Sequence, residues 1–468
     1  MLRFLLRPVV LAVLVTLLIW LAVIIYWQET VRLVTAEDVG IYLVGLPLLV
    51  VAGGLLLRVG YRRYADGKRR GAGAPAAAPC VVAADERERG FSLALLAIGL
   101  ASAAGQAAAD CLKTLKAREV QPLPDRELRN RDGFPVHAAR VGDLATDELI
   151  AALEAIDGAP LPEHVTRALA LLDAALTPPL DALAAALPAL DKRGQPVTPV
   201  PRLTVDVLLP AAWDTRCRAT ALRHLGDRLA GCGWPAGAMT VNAIAADEGV
   251  VGLKQLDAFC LNANRADGDD LYLLAACESA IDDDLVSALE ASGQLFATAR
   301  PQGRIPGEGA AAVLVRIPPK VTAWQTPLGL LGRVAIAVRD KSADAGGRIS
   351  HETLLEASRN SLAVSEVPAA DVSLVVSDID QRATRGAECI GAIDSLLPEL
   401  DTNRQFIAAG QALGQLGSAG ALLALGLAAA AVQSEDKPAL LMAAAHSVER
   451  AAAVVRPWLA PAQAAAAT

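Results

Sequence analysis

The stretch "GRIPGEGAAAVLVRI", Gly303 to Ile317, decides how this chain is read. Its first half sets three glycines and a proline around one acid. Its second half is apolar apart from Arg316. Gly307 and Gly309 permit positive φ and close approach of neighbouring backbone. Glu308, between them, is placed to accept hydrogen bonds from backbone amides. The apolar run that follows is of the buried-strand type. The stretch therefore predicts a glycine-hinged loop that drops into a buried strand.

Working outward, strand-like and helix-like stretches alternate from about Phe91. "LALLAIGLA" reads as a strand, with an alanine-rich helix as the alternative, and "AGQAAADCLKTLKAREV" as a helix. "LTVDVLLP" is a strand, and "CRATALRHLGDRLAGCG" an amphipathic helix closed by Gly231 and Gly233. Strand "MTVNAIAA", helix "GVVGLKQLDAFCLNAN", strand "DLYLLAACES" and helix "DDLVSALEASGQL" lead into the opening stretch. A second round follows it: strand "GRVAIAVRD", helix "SHETLLEASRNSLAV", strand "VSLVVSD", helix "TRGAECIGAIDSLL", helix "LGSAGALLALGLAAAAVQ", and last the strand "ALLMAAA". This order predicts an α/β fold with buried, parallel or mixed sheets. The Ala-, Leu- and Pro-rich segment 144–200 reads as helices on the outside.

Hydrophobic residues make up 53% of the chain but aromatics only 4%. Alanine fills the gap, which predicts helices packed through small side chains. A net charge of −8, with no basic stripe beyond the N-terminal region, excludes a nucleic-acid partner. The cysteines are Cys80, Cys111, Cys217, Cys232, Cys260, Cys277 and Cys389. Their odd number and irregular spacing fit reduced thiols, not a disulfide framework or a zinc site.

The N-terminal region reads differently. "PVVLAVLVTLLIWLAVIIY", Pro8 to Tyr26, and "GIYLVGLPLLVVAGGLLL", Gly40 to Leu57, carry no charge. At about 1.5 Å per residue each suffices for the bilayer core. A signal peptide is disfavoured because no small-residue cleavage site follows the first run. The expectation is a transmembrane hairpin within residues 1–66, with helices over about 8–27 and 40–58. Basic residues flank the pair at Arg3, Arg7, Arg58, Arg62, Arg63, Lys68, Arg69 and Arg70, while the connection holds Glu29, Glu37, Asp38 and only Arg32. That bias predicts that both termini are cytoplasmic, with a short acidic turn on the other side. "GKRRGAGAPAAAP" marks a linker over 67–82. The remainder is expected as a domain over 83–458, in halves 83–320 and 328–458, with a disordered tail over 459–468.

Elements in this order resemble the thiolase superfamily, in particular divergent β-ketoacyl synthases. The resemblance rests most on "LYLLAACESAIDDDLVSALEASGQLFATARPQGRIPGEGAAAVLV" and on the turn "LGQLGSAGALLALGLAAAA", with Gly417 and Gly420 opening a buried helix. It implies a duplicated five-layer αβαβα fold, no metal and no cofactor. It also implies a nucleophilic cysteine near Ala246 to Gly249, and two further groups after "VSLVVSD" and before "GSAG". The helix N-terminus would activate that thiol. This chain has Asp247 and Glu248 at the first place, Asp378 at the second and Gly414 at the third. Its five histidines are expected elsewhere. Asp247 and Glu248 read as acids favourable at a helix N-terminus, with general acid–base groups as the alternative. Asp282, Asp283 and Asp284 read as a helix cap in preference to a metal site.

Together with the expected hairpin, the resemblance implies a catalytically inactive scaffold or adaptor anchored in a bacterial inner membrane. Its partners would be the bilayer through residues 8–58, a second copy or a related synthase-like chain, and a type VI-like secretion protein. The competing reading is a chain-length-factor-like subunit of an active synthase.

Overall fold

The computed structural model describes Trp20 and residues 86–188, 198–246, 250–318, 326–345 and 347–459. The expected hairpin apart from Trp20, the linker, Asp247, Glu248 and the tail beyond 459 lie outside the described residues.

The opening stretch becomes a fully enclosed strand of the first half. Strand β1 (Ser92–Ser102) leads into helix α1 (Ala108–Lys116), the hairpin β2 (Leu123–Arg129) and β3 (Pro135–Ala138), and helices α2 (Asp147–Asp157) and α3 (Glu163–Ala185). Then come β4 (Leu203–Pro210), α4 (Thr215–Ala230), β5 (Met239–Ala246), α5 (Val251–Ala266), β6 (Leu271–Ser279), α6 (Asp283–Ala291) and β7 (Glu308–Arg316). Every residue of β7 is buried, and it pairs antiparallel with β1 on one side and β6 on the other. Its backbone groups are thereby satisfied in an apolar setting.

The second half comprises β8 (Gly329–Gly332), β9 (Ala335–Val338), α7 (Glu352–Val364), β10 (Leu374–Ser377), α8 (Ala383–Leu396), β11 (Phe406–Ala408), α9 (Ala409–Leu413), α10 (Ala419–Glu435), β12 (Ala439–Ala443) and β13 (Glu449–Arg456). The first half-sheet runs β1-β7-β6-β4-β5 and the second β9-β13-β12-β10-β11. The order and the strand directions are the same in both: two antiparallel pairings, then two parallel ones. The architecture is therefore a duplicated unit. Strand β8 pairs with both β1 and β13, joining the halves into one eleven-stranded sheet.

Three apolar cores separate the layers. One lies between α3, α4 and the outer face of the first half-sheet. A second lies between α7, α8 and the outer face of the second half. The third, between the halves, holds α1, α5 and α10. Helix α10 touches β1, β6 and β7 of the first half and β10, β12 and β13 of the second. It is buried all round from Ala419 to Val432, as an apolar helix between two sheets must be. A Cβ at Gly426 would lie 2.7 Å from Leu100, so a small residue sets the spacing there.

Three expectations need correction. The segment 144–200 does not lie wholly outside. Helix α3 is a core helix against β1, β6 and β7, although α2 is mostly exposed. Among the described residues α3 is long and apolar enough to cross a membrane, and its burial in the core explains that composition. Gly99 of β1 admits it: a Cβ there would meet the Ala175 carbonyl at 1.8 Å. Next, β12 is not the last strand, because β13 follows it. Finally, Gly307 and Gly309 do not take positive φ; Gly414 (68°) and Gly417 (49°) do. Gly307 is needed for close approach, since a Cβ there would lie 2.1 Å from the Leu413 carbonyl.

Candidate functional site

The parallel strands β4, β5 and β6 end on one side of the sheet, where open α/β sheets form ligand crevices. Their carboxyl ends border a cavity of about 550 Å³. Pro210 and Ala246, the last residues of β4 and β5, line it, together with Glu278 near the end of β6. Arg304 and Gln415 enter from the two glycine loops, Asp344 from the loop after β9, and His446 and Ser447 from the loop between β12 and β13. Asp247 and Glu248 follow Ala246 in sequence and precede α5.

The glycine loops are stitched together by backbone. Gln415 N–H donates to the Ile305 carbonyl at 2.9 Å, and Ala280 N–H to the Gly307 carbonyl at 2.9 Å. A Cβ at Gly414 would lie 2.9 Å from the carbonyls of Ile305 and Pro306. Glu308 is fully buried beneath this contact. It accepts from the Val141 amide (2.7 Å), the Ser279 hydroxyl (2.9 Å) and the Arg167 guanidinium (Nε, 2.9 Å). Only one of these donors is a backbone amide. Gly417 packs against the Glu278 carboxylate, and Gly420 against the Asp378 side chain, both at the start of α10.

Asp378 stands just past the end of β10, where the resemblance implies a catalytic group. Its Oδ1 accepts from the amides of Ala444 (2.7 Å) and Ala445 (3.0 Å). Burial pushes its carboxyl up to about 6, against the pull of those two amides and of Arg450. Around it lies a buried ionic network. Arg450 forms a two-pronged pair with Glu388 (2.8 and 2.8 Å), which Arg339 also reaches at 2.7 Å. Arg382 grips the buried Asp380 (2.9 Å), and the buried Arg385 grips Asp344 (2.6 and 3.1 Å), whose carboxylate is about half exposed.

No described cysteine lies at the start of α5. Cys260 is buried toward its far end, and burial with the nearby Asp257 pushes its thiol up to about 12. Burial likewise raises Cys111, Cys217 (to about 11), Cys277 and Cys389 (to about 12). Cys80 lies outside the described residues.

Asp282 caps α6 by accepting from the amides of Asp284 (2.9 Å) and Leu285 (3.2 Å), as expected of the acidic triplet. Four of the histidines do lie away from the cavity. His137 packs edge-on to Phe296, His164 bonds Asp282, His224 bonds Asp173, and His351 faces Ser395. His446 is the correction, because it lines the cavity. Its position follows from the loop joining β12 to β13, which is invisible unless β13 is recognised.

No family model matches this sequence, and no curated protein is similar to it at a significant level. Solved structures are similar in fold. The ishigamide ketosynthase/chain length factor aligns over 78% of this chain and 99% of its own, with 17% identity and a TM-score of 0.56. A type II polyketide ketosynthase in complex with its acyl-carrier protein aligns over 79% and 100%, with 12% identity and a TM-score of 0.56. Ketosynthase twelve of the bacillaene polyketide synthase of Bacillus amyloliquefaciens aligns over 80% and 76%, with 11% identity and a TM-score of 0.52. The chain therefore has the thiolase-like ketosynthase fold.

Proposed function

We propose that this chain is a non-condensing ketosynthase-fold subunit that works by pairing with another thiolase-like chain, held at the cytoplasmic face of a bacterial inner membrane by residues 8–58. The observation that carries the reading is the strand-end site. Asp378 and Gly414 stand where the resemblance implies catalytic groups, no cysteine among the described residues lines the cavity, and Cys260 and Cys277 are buried in the core with their thiol pKa values raised rather than lowered. Condensation needs an activated thiolate and general acid–base partners, and rates collapse when such a unit loses members.

Pairing is supported by β5. It ends the sheet path, bonds only β4 among the described residues, and leaves Thr240, Asn242 and Ala245 exposed. An open edge of this length invites another strand. Either a second copy or an intact synthase fits that edge. A regulatory role beside an active synthase is favoured by the likeness to a ketosynthase/chain length factor. A type VI-like secretion assembly is the alternative setting for a scaffold.

Intact mass after incubation with acyl-CoA and acyl-carrier protein is expected to show no acyl adduct on any cysteine. Light scattering in detergent is expected to give a dimer that Thr240→Lys with Asn242→Lys splits without unfolding. A stoichiometric acyl-cysteine would overturn the reading.

A further inference from the structure

A second cleft lies on the seam between the halves, at the other end of the sheet path from β5. It encloses about 380 Å³ between the carboxyl end of α1 in the first half and β11 and α9 in the second. Its apolar side chains, Leu115, Val120, Phe406 and Ile407, are buried or half-buried. Its charged residues, Lys116, Arg118 and Arg404, are exposed, which puts the cations at the mouth. The lining carries no Asp or Glu. An apolar wall with a few charged groups at its edge is the make-up of a small-ligand site.

Segments 115–121 and 401–413, which form the cleft, are described throughout, and the acids beside it are accounted for. Glu435 is matched with Lys116 at 2.5 Å, so Lys116 adds no open charge. Asp401 caps the turn Thr402–Gln405 by accepting from the Asn403 amide (3.0 Å), and reaches Arg404 only at 3.9 Å. An exposed pair at that distance is weak. Glu119 lines the neighbouring cavity beside the β2–β3 hairpin. The Arg118 guanidinium donates to the Asn403 carbonyl at 3.1 Å, which uses one of its five N–H donors. Arg118 and Arg404 therefore bring positive charge to the mouth that no carboxylate of the lining answers.

Arg118 also stands at a special place in the backbone. The amides of Arg118 and Glu119 close α1 by donating to the carbonyls of Leu115 (3.1 Å) and Thr114 (3.2 Å). Arg118 itself takes a φ of 56°, at a helix end where glycine fits without strain. An arginine there bears strain, and its guanidinium reaches across the seam over the cleft.

We propose that this cleft binds a small organic anion, with its apolar body against Val120 and Phe406 and its carboxylate or phosphate group received by the guanidinium groups of Arg118 and Arg404. The planar fork of arginine matches the oxygens of either group. The site uses neither the strand-end cavity nor the β5 edge, so its failure and that of the subunit reading are separately visible.

The test is calorimetric titration of the full chain in detergent, at fixed pH and ionic strength, with benzoate, phenyl phosphate and the uncharged benzyl alcohol. Heats of mixing with detergent alone are subtracted. At least one anion is expected to bind saturably with a Kd below about 10 mM. The tighter of the two identifies the anionic group. Benzyl alcohol is expected to bind far more weakly. Arg118→Gly is expected to weaken anion binding about tenfold or more, while melting no lower than the parent chain because glycine takes that φ freely. Arg404→Gln, at an exposed side chain, is expected to repeat the loss of affinity. Arg126→Gln, which removes a charge from the neighbouring cavity, is expected to leave affinity unchanged. The proposal is overturned if neither anion binds in that range, or if the alcohol binds as tightly as the anions. It is also overturned if affinity survives in Arg118→Gly or Arg404→Gln, or falls equally in Arg126→Gln.

Discussion

Asp378 carries its charge at a cost that depends on pH. Its folded pKa of about 6 stands above the ordinary carboxylate value of 3.8. The native state therefore binds the proton more tightly than the unfolded chain. The group opposes folding fully above pH 6, and the penalty fades as pH falls toward 4. Asp380 adds to the penalty and Arg450 offsets part of it. Asparagine keeps a carbonyl oxygen for the amides of Ala444 and Ala445 while removing the buried charge. Asp378→Asn is expected to raise stability by about 1–3 kcal/mol at pH 7.5 and to have little effect at pH 4. Urea unfolding at the two pH values measures this. An equal loss at both would show that the carboxylate is an ionised structural partner.

At the scale of elements, the contact between the two glycine loops couples the halves. The Gly307 position admits no side chain because the Leu413 carbonyl occupies its space. Gly307→Val is expected to cost about 3 kcal/mol or more, since backbone must move in both halves. Glu308→Ala leaves Arg167 without its carboxylate and the Val141 amide without an acceptor. A loss of about 3 kcal/mol is expected in thermal or denaturant unfolding. Full stability in Glu308→Ala would mean that the buried pair contributes nothing and that the loop is retained for another reason.

At the scale of the whole molecule, topology is the open prediction. A reporter fused after Thr468 is expected to be active only if it is of a cytoplasmic type, and one inserted near Thr35 only if of an exported type. Digestion of the C-terminal domain in intact spheroplasts would remove the hairpin from the proposal. The same membrane preparation gives the native oligomer, which bears on the β5 edge.

Several features were legible in the sequence for local reasons. Continuous apolar runs such as Ala310–Val315 read as buried strands because nothing polar interrupts them. Asp282 read as a cap because acids at a helix start bond the free amides. That no cysteine stands from Ala246 to Gly249, and no histidine at Asp378 or Gly414, could be read along the chain. Other features were decided only by tertiary structure. Alanine-rich "ERAAAVVR" suits helix or strand, and pairing with β12 made it β13. Helix α3 is apolar enough for core or bilayer, and the face of the first half-sheet claimed it. Glycine permits positive φ and close contact alike, so which glycine serves which need depended on where the Leu413 carbonyl came to rest. The ionic network joins residues far apart in sequence, such as Arg450 and Glu388, 62 positions away. His446 reaches the cavity only because that network folds its loop there. Local pattern specifies elements through nearest-neighbour sterics and burial, whereas a site assembled from four loops exists only once the chain has closed on itself.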